Sequence, residues 1–115
     1  MKFRIALCLL ASLFISSNLL AHGSGHAPIS EQKALLIATQ ITKGFASIDP
    51  QLGFGVVPAS WANITSDTAT IFQSGDGYRI VKVVNPKEES ALYILMSDDG
   101  EVYDANTSGK FEGVN

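Results

Sequence analysis

The sequence predicts an α+β fold in which one main N-terminal helix packs on a four-stranded antiparallel meander sheet. Apolar residues recur at helical spacing in one segment near the N-terminus, and from Thr65 onward their period becomes two. The length agrees with this, because 115 residues and 12.3 kDa leave room for one small domain. Repeat arrays and multidomain enzymes are excluded.

The first 21 residues have the architecture of an export signal. Lys2 and Arg4 precede an apolar run over residues 5–15, and Ala21 is the small residue that cleavage needs. The apolar run is too short for a comfortable membrane span. We therefore predict a signal peptide over residues 1–21 and a mature protein in the periplasm or secreted, with no membrane contact after cleavage.

Charge and cysteine content exclude several classes of function. Cleavage removes two of the eight basic residues, which leaves six against 11 acidic residues and a net charge of −5. An acidic chain without a basic cluster is a poor partner for nucleic acid. Cys8 is the only cysteine and lies within the apolar run, so the mature chain is expected to form no disulfide, zinc–thiolate site or cysteine nucleophile.

A tail and a helix follow the signal. Residues 22–29 are rich in glycine and lack an apolar period, which predicts a flexible tail before a single domain over residues 30–112. Ser30 is a good N-cap, Glu31 adds negative charge to the first turn, and Gly44 stands where a C-cap glycine is expected. These signals predict a helix over residues 31–43.

The remaining segments predict one helical turn and four strands. Pro58 can begin a short helical turn, and Trp61 within it is expected to fill the core. Residues 68–72, 78–84, 91–96 and 101–105 are rich in strand formers and are separated by short polar turns. Strands joined by short turns are antiparallel neighbours, which predicts a meander.

Periodicity also predicts the core that joins helix and sheet. The predicted buried residues are Leu35, Ile37, Ala38, Ile41, Trp61, Ile80, Leu92 and Ile94. Alternation alone does not decide which sheet face the helix covers. A second set, Val81, Val83, Tyr93 and Leu95, therefore remains open.

Two groups of motifs resemble known families. The segment over residues 29–38, followed by strands that end in a glycine-centred hairpin, resembles a PepSY-type module. Such modules are small exported domains with a helix on an antiparallel sheet, linked to peptidase inhibition or to metal systems. Most of the mature chain is also similar to a family of small periplasmic proteobacterial proteins of unassigned function with a His/Gly-rich mature N-terminus. The motifs of this second resemblance are His22–His26, Ala59–Trp61, Val84–Lys87, Leu92–Leu95 and Ala105–Lys110.

The only histidines, His22 and His26, lie on the tail and are the candidate metal ligands. Cleavage after Ala21 gives His22 a free α-amine beside its imidazole, and the intervening Gly-Ser-Gly lets His26 supply a third nitrogen. Such nitrogens suit Cu(II) or another transition metal, with Cu(II) favoured by the general order of affinities. The alternative is a solubilising tail that binds no metal.

An enzyme is not expected, because a histidine on a mobile tail cannot be preorganised for catalysis. The carboxylate pairs Glu88-Glu89 and Asp98-Asp99 fall at predicted turns, where solvated charges are the usual role. The primary hypothesis is thus a small exported non-enzymatic protein that handles a transition metal. The alternative is a PepSY-like protein-binding or peptidase-inhibitory module whose partner is a periplasmic protein. The sequence does not indicate the oligomeric state.

Overall fold

The computed structural model describes residues 27–114 and has the predicted α+β architecture. Helix α1 spans Glu31–Gly44, and the strands are β1 (Ala69–Gly75), β2 (Tyr78–Asn85), β3 (Ser90–Ser97) and β4 (Val102–Asn106). Two 3₁₀ helices, Ala59–Asn63 and Ser66–Thr68, lie between α1 and β1. The predictions for residues 1–26, which include the signal peptide and both histidines, lie outside the described residues.

Helix α1 begins as predicted and ends differently. The Ser30 hydroxyl accepts a hydrogen bond from the Lys33 backbone N–H at 3.0 Å, which is the expected N-cap contact. Gly44 is the last helical residue and has no left-handed conformation, so its prediction as a C-cap glycine was wrong. Phe45 caps the helix in the right-handed region instead, because its N–H donates to the Thr42 carbonyl and the chain continues through further tight turns.

The sheet is the predicted antiparallel meander, in the order β1-β2-β3-β4. The β1–β2 turn is Asp76-Gly77, with Gly75 and Tyr78 paired on either side of it. Gly77 has a φ of +78°, which an L side chain rarely adopts. Asn85 pairs with Ser90 across a four-residue turn, so residues of odd number on β2 face residues of even number on β3.

One face of the sheet packs against α1 and forms the main core. The predicted burial of Trp61 in this core is confirmed, because its side chain is only 2% exposed. Fully buried side chains come from all four strands, the helix and the first 3₁₀ segment. They are Ala34, Ala38, Trp61, Ile64, Ala69, Val81, Val83, Leu92, Ile94, Met96 and Ala105. Leu35, Ile37 and Ile41 of the predicted core are partly buried against this cluster.

The predicted core combined residues from opposite faces of the sheet. Leu92 and Ile94 lie on the helix side as predicted, but their partners on β2 are Val83 and Val81. Ile80 is buried, at 1% exposure, yet it is not part of the helix-side cluster. The physical reason is the four-residue turn, which pairs Ile80 with Leu95 and turns both away from α1.

The opposite face is partly covered by the chain that follows β4. Gly109 lies so close to this face that an added Cβ would be 3.0 Å from Tyr93 Cδ2 and 3.2 Å from Phe72 Cε2. The Asn106 side-chain oxygen accepts hydrogen bonds from the backbone N–H groups of Ser108 and Gly109. Two residues further on, Phe111 is buried. We call residues 107–114 the C-terminal segment.

Candidate functional site

The proposed metal ligands His22 and His26 lie before the first described residue, Ala27. Among residues 27–114 no group of three or more His, Cys, Asp or Glu side chains is arranged to hold a metal ion. The part of the described structure nearest in sequence to these histidines is the junction at Ile29, where the chain enters the domain.

That junction is fixed by three hydrogen bonds. The Ile29 backbone N–H donates to the Asp98 carbonyl at 2.9 Å. Arg79 donates from Nη2 to the Ile29 carbonyl at 2.8 Å and from Nη1 to the Ser30 carbonyl at 3.4 Å. Ile29 also packs against the main core. Since Ile29 follows His26 by only three residues, the fixed point of the chain is close in sequence to the candidate ligands.

The β3–β4 turn next to this junction is acidic, but its carboxylates serve the turn. The Ser97 hydroxyl donates to Asp99 Oδ1 and accepts from the Glu101 backbone N–H at 2.9 Å. The Gly100 N–H donates to the Ser97 carbonyl. These contacts give the half-buried Asp99 a structural role in the turn, where the sequence had predicted a solvated charge.

A polar network missed by the sequence analysis connects the tryptophan segment to the β2–β3 turn. Asn85 is 2% exposed, and its Nδ2 donates to Ser60 Oγ at 3.0 Å. The Ser60 hydroxyl in turn donates to Glu88 Oε2 at 2.9 Å, and Asn85 Oδ1 accepts from the Lys87 backbone N–H. The network fastens the 3₁₀ helix of Trp61 to the sheet, which explains why buried Asn85 is tolerated there.

Beside this network lies an open groove of about 380 Å³. Five of its eight lining residues carry a hydroxyl or amide group and one is a lysine, although most of the lining surface is apolar. The lining residues are Ser60, Asn63, Ile64, Thr65, Thr68, Asn85, Pro86 and Lys87. The two motifs Ala59–Trp61 and Val84–Lys87 meet at this groove, and because they lie more than 20 positions apart no local pattern in the sequence indicates it.

The two edge strands of the sheet differ in sequence and in exposure. Strand β1 contains no charged residue, and its residues alternate between buried or half-buried and exposed positions. Phe72 on β1 is 47% exposed, and its ring contacts that of Tyr93 at 4.9 Å between centroids in a T-shaped arrangement. Strand β4 is two residues shorter than β1 and contains Asp104. Within residues 27–114 no further strand pairs with either edge.

Comparison with known proteins gives one match. Residues 1–110 match the model of a family described as "Family of unknown function (DUF6488)". No curated protein matches, and no solved structure matches. In the part of the chain that the structure describes, no helix is long and apolar enough to cross a membrane.

Proposed function

We propose a function for this chain, which belongs to the DUF6488 family of unknown function. It is a small exported, non-enzymatic protein that binds a transition metal of the copper type. The proposed ligands are the α-amine and imidazole of His22 and the imidazole of His26. The observation that carries the proposal is the fixed junction at Ile29, which follows His26 by three residues and His22 by seven. The folded domain would then present the ligands without supplying any of its own.

The proposed ligand set is incomplete, and that affects its role. Cu(II) favours nitrogen ligands, and three nitrogens leave coordination positions for water or for a ligand of another protein. Such a site suits transfer or sensing of a metal better than permanent storage. Export supports the same role, because the basic residues, the apolar run and Ala21 have the order of a signal peptide.

A non-enzymatic role is supported by where the reactive residue types lie. Residues 27–114 contain neither histidine nor cysteine. The carboxylate pairs Glu88-Glu89 and Asp98-Asp99 both lie at turns. A catalytic acid–base pair needs two side chains held towards one substrate position, whereas Glu88 and Asp99 accept hydrogen bonds from the Ser60 and Ser97 hydroxyls.

The metal proposal is tested by titrating Cu(II) into the purified exported protein. Variants are His22→Ala, His26→Ala and a form that retains one extra residue before His22. The extra residue moves the amine off His22, so we expect weaker binding although both imidazoles are intact. Asp98→Asn is the control for copper held by surface carboxylates, and its affinity should equal that of the unmodified protein.

The pH dependence of the same titration has a definite sign. Imidazole binds a metal only when it is neutral, and the ordinary histidine pKa is about 6.5. Copper affinity should therefore fall as the pH is lowered through that range. The domain should be indifferent to copper, so its denaturation midpoint should not move when copper is added. Equal copper affinity of the unmodified protein, both histidine variants and the extended form would overturn the metal proposal.

A second candidate function is a protein-binding or peptidase-inhibitory module of the PepSY type that acts without metal. The observation that favours it is the uncharged edge strand β1, on which Phe72 is half exposed. Capture of a periplasmic protein by a variant with both histidines replaced by alanine would support this candidate and separate it from the metal proposal.

A further inference from the structure

The unprotected state of β1 is unusual for an edge strand. An edge presents unpaired backbone N–H and C=O groups, and natural proteins discourage pairing there with charged residues, proline, bulges or short strands. The β1 sequence Ala-Thr-Ile-Phe-Gln-Ser-Gly has no charge and no proline over seven residues. A bulge at Phe72, where the register with β2 shifts, is the protective feature that residues 27–114 show on this strand.

Strand β4 shows what protection looks like in the same sheet. It has five residues, and its register with β3 also shifts. Asp104 places a charge in the middle of the strand, and its Oδ1 accepts a hydrogen bond from the Ala105 backbone N–H at 2.8 Å. One backbone donor of this edge is thereby satisfied by a side chain. Within residues 27–114, β4 is thus protected by its short length, its bulge and Asp104, whereas β1 has only its bulge.

The charges at the ends of β1 indicate which partner fits. Asp67 lies just before the strand and Asp76 just after it, and both are exposed. Two copies of β1 paired antiparallel about the middle of the strand would bring Asp67 of one copy near Asp76 of the other, which disfavours self-pairing. A strand with a basic residue at each end has the complementary pattern.

We propose that the outer edge of β1 accepts an extended segment of another protein, with apolar residues at alternate positions and Lys or Arg at both ends. This inference rests on the second candidate function and is independent of the metal proposal. Backbone hydrogen bonds to β1 supply affinity, the basic ends face Asp67 and Asp76, and an apolar side chain of the segment packs beside the exposed ring of Phe72.

The test uses synthetic peptides added to the full, exported protein in the presence of a chelator. The probe is a peptide of about nine residues, long enough to match β1 at about 3.3 Å per residue, with alternating Thr and Val between two terminal lysines. One comparison peptide has glutamates at both ends. Another keeps the lysines but has alternate backbone nitrogens methylated, which removes the donors that pairing needs.

We expect the lysine-ended peptide to shift the amide resonances of residues 69–75 and to slow their hydrogen exchange. The glutamate-ended and N-methylated peptides should bind more weakly. Asp67→Asn combined with Asp76→Asn should weaken binding of the lysine-ended peptide about 2- to 30-fold at low salt, as expected for two exposed ion pairs. High salt should remove that difference.

A matched pair of variants distinguishes the two edges. Thr70→Lys places a charge at an exposed position of β1 and should reduce binding of the lysine-ended peptide. Tyr103→Lys introduces a lysine at an exposed position of β4 and should leave that binding unchanged. Equal binding of the N-methylated peptide, or no shift at residues 69–75, overturns the proposal. Shifts confined to the groove at Ser60 and Asn85 would overturn it while leaving a protein-binding function in place. Concentration-dependent shifts in β1 without peptide would show self-pairing and overturn it too.

Discussion

The two faces of the sheet are covered in different ways. On the helix side, Val81, Val83, Ile94 and Met96 have no exposed surface, and α1 and Trp61 lie over them. On the other side, Tyr93 and Leu95 are half buried, Phe72 is 47% exposed, and Lys82 reaches to within 5.9 Å of the Tyr93 ring centroid. Within residues 27–114, the C-terminal segment lies against this face at Gly109.

The difference shows that one face of the sheet in this small domain supplies most of the stability, while the other keeps side chains accessible to solvent. A small chain buries a modest fraction of its surface, so one dry layer has to supply most of the hydrophobic free energy. The helix-side face is that layer. The other face combines a few buried side chains with aromatic rings that remain accessible, and the open edge β1 borders both faces.

The largest expected effect compares neighbours on β3. Ile94→Ala should lower the free energy of unfolding by about 2–5 kcal/mol, because it leaves a cavity in the fully buried layer. Leu95→Ala removes a half-buried side chain from the other face and should cost less than about 2 kcal/mol. Urea denaturation of both variants measures the contrast. Equal losses would mean that the two faces contribute equally.

A double-mutant cycle tests what covers Ile80. Ile80 and Phe111 are both buried outside the helix-side cluster, and we expect their side chains to pack together. The coupling energy between Ile80→Ala and Phe111→Ala should be about 1–3 kcal/mol.

Phe111→Ala combined with Ala34→Gly is the control for that cycle, since Ala34 packs on the opposite face. That pair should be additive within about 0.5 kcal/mol. If the coupling energy between Ile80→Ala and Phe111→Ala is also below about 0.5 kcal/mol, the C-terminal segment does not cover Ile80.

The smallest effect separates contact from backbone strain in the C-terminal segment. Gly109 and Gly113 have nearly equal φ angles of +80° and +82°, so alanine strains the backbone similarly at both. An added Cβ meets the Tyr93 ring at Gly109 and nothing within 4 Å at Gly113. Gly109→Ala should therefore cost about 1 kcal/mol more than Gly113→Ala in thermal unfolding. A reversed order would place Gly109 away from the sheet.

Local signals predicted most of the fold. The N-cap Ser30, the helix and the four strands were predictable because each depends on residues close in sequence. Which residues of β2 face the helix was not predictable, because this depends on the number of residues in the β2–β3 turn. A turn longer or shorter by one residue would place Ile80 instead of Val81 on the helix side. The end of α1 at Phe45 depended on turns that follow the helix and not on Gly44 itself.

The candidate sites were less predictable, for different reasons. His22 and His26 were found from composition alone, and they lie outside the described residues, so their role stays a prediction. The network of Ser60, Asn85 and Glu88 joins residues more than 20 positions apart, which no local pattern reveals. The absence of charge in β1 was visible in the sequence. The contrast between the two edges, however, could be recognised only once the strand order showed that β1 and β4 are the edge strands.

The position of the C-terminal segment has a consequence for chain synthesis. Translation proceeds from the N-terminus, so α1 and the four strands are complete before Gly109 and Phe111 are made. A chain truncated after Asn106 would keep all four strands but lack Phe111, which we expect to cover Ile80. Such a product would offer chaperones and proteases an apolar surface that the chain with its C-terminal segment is expected to hide.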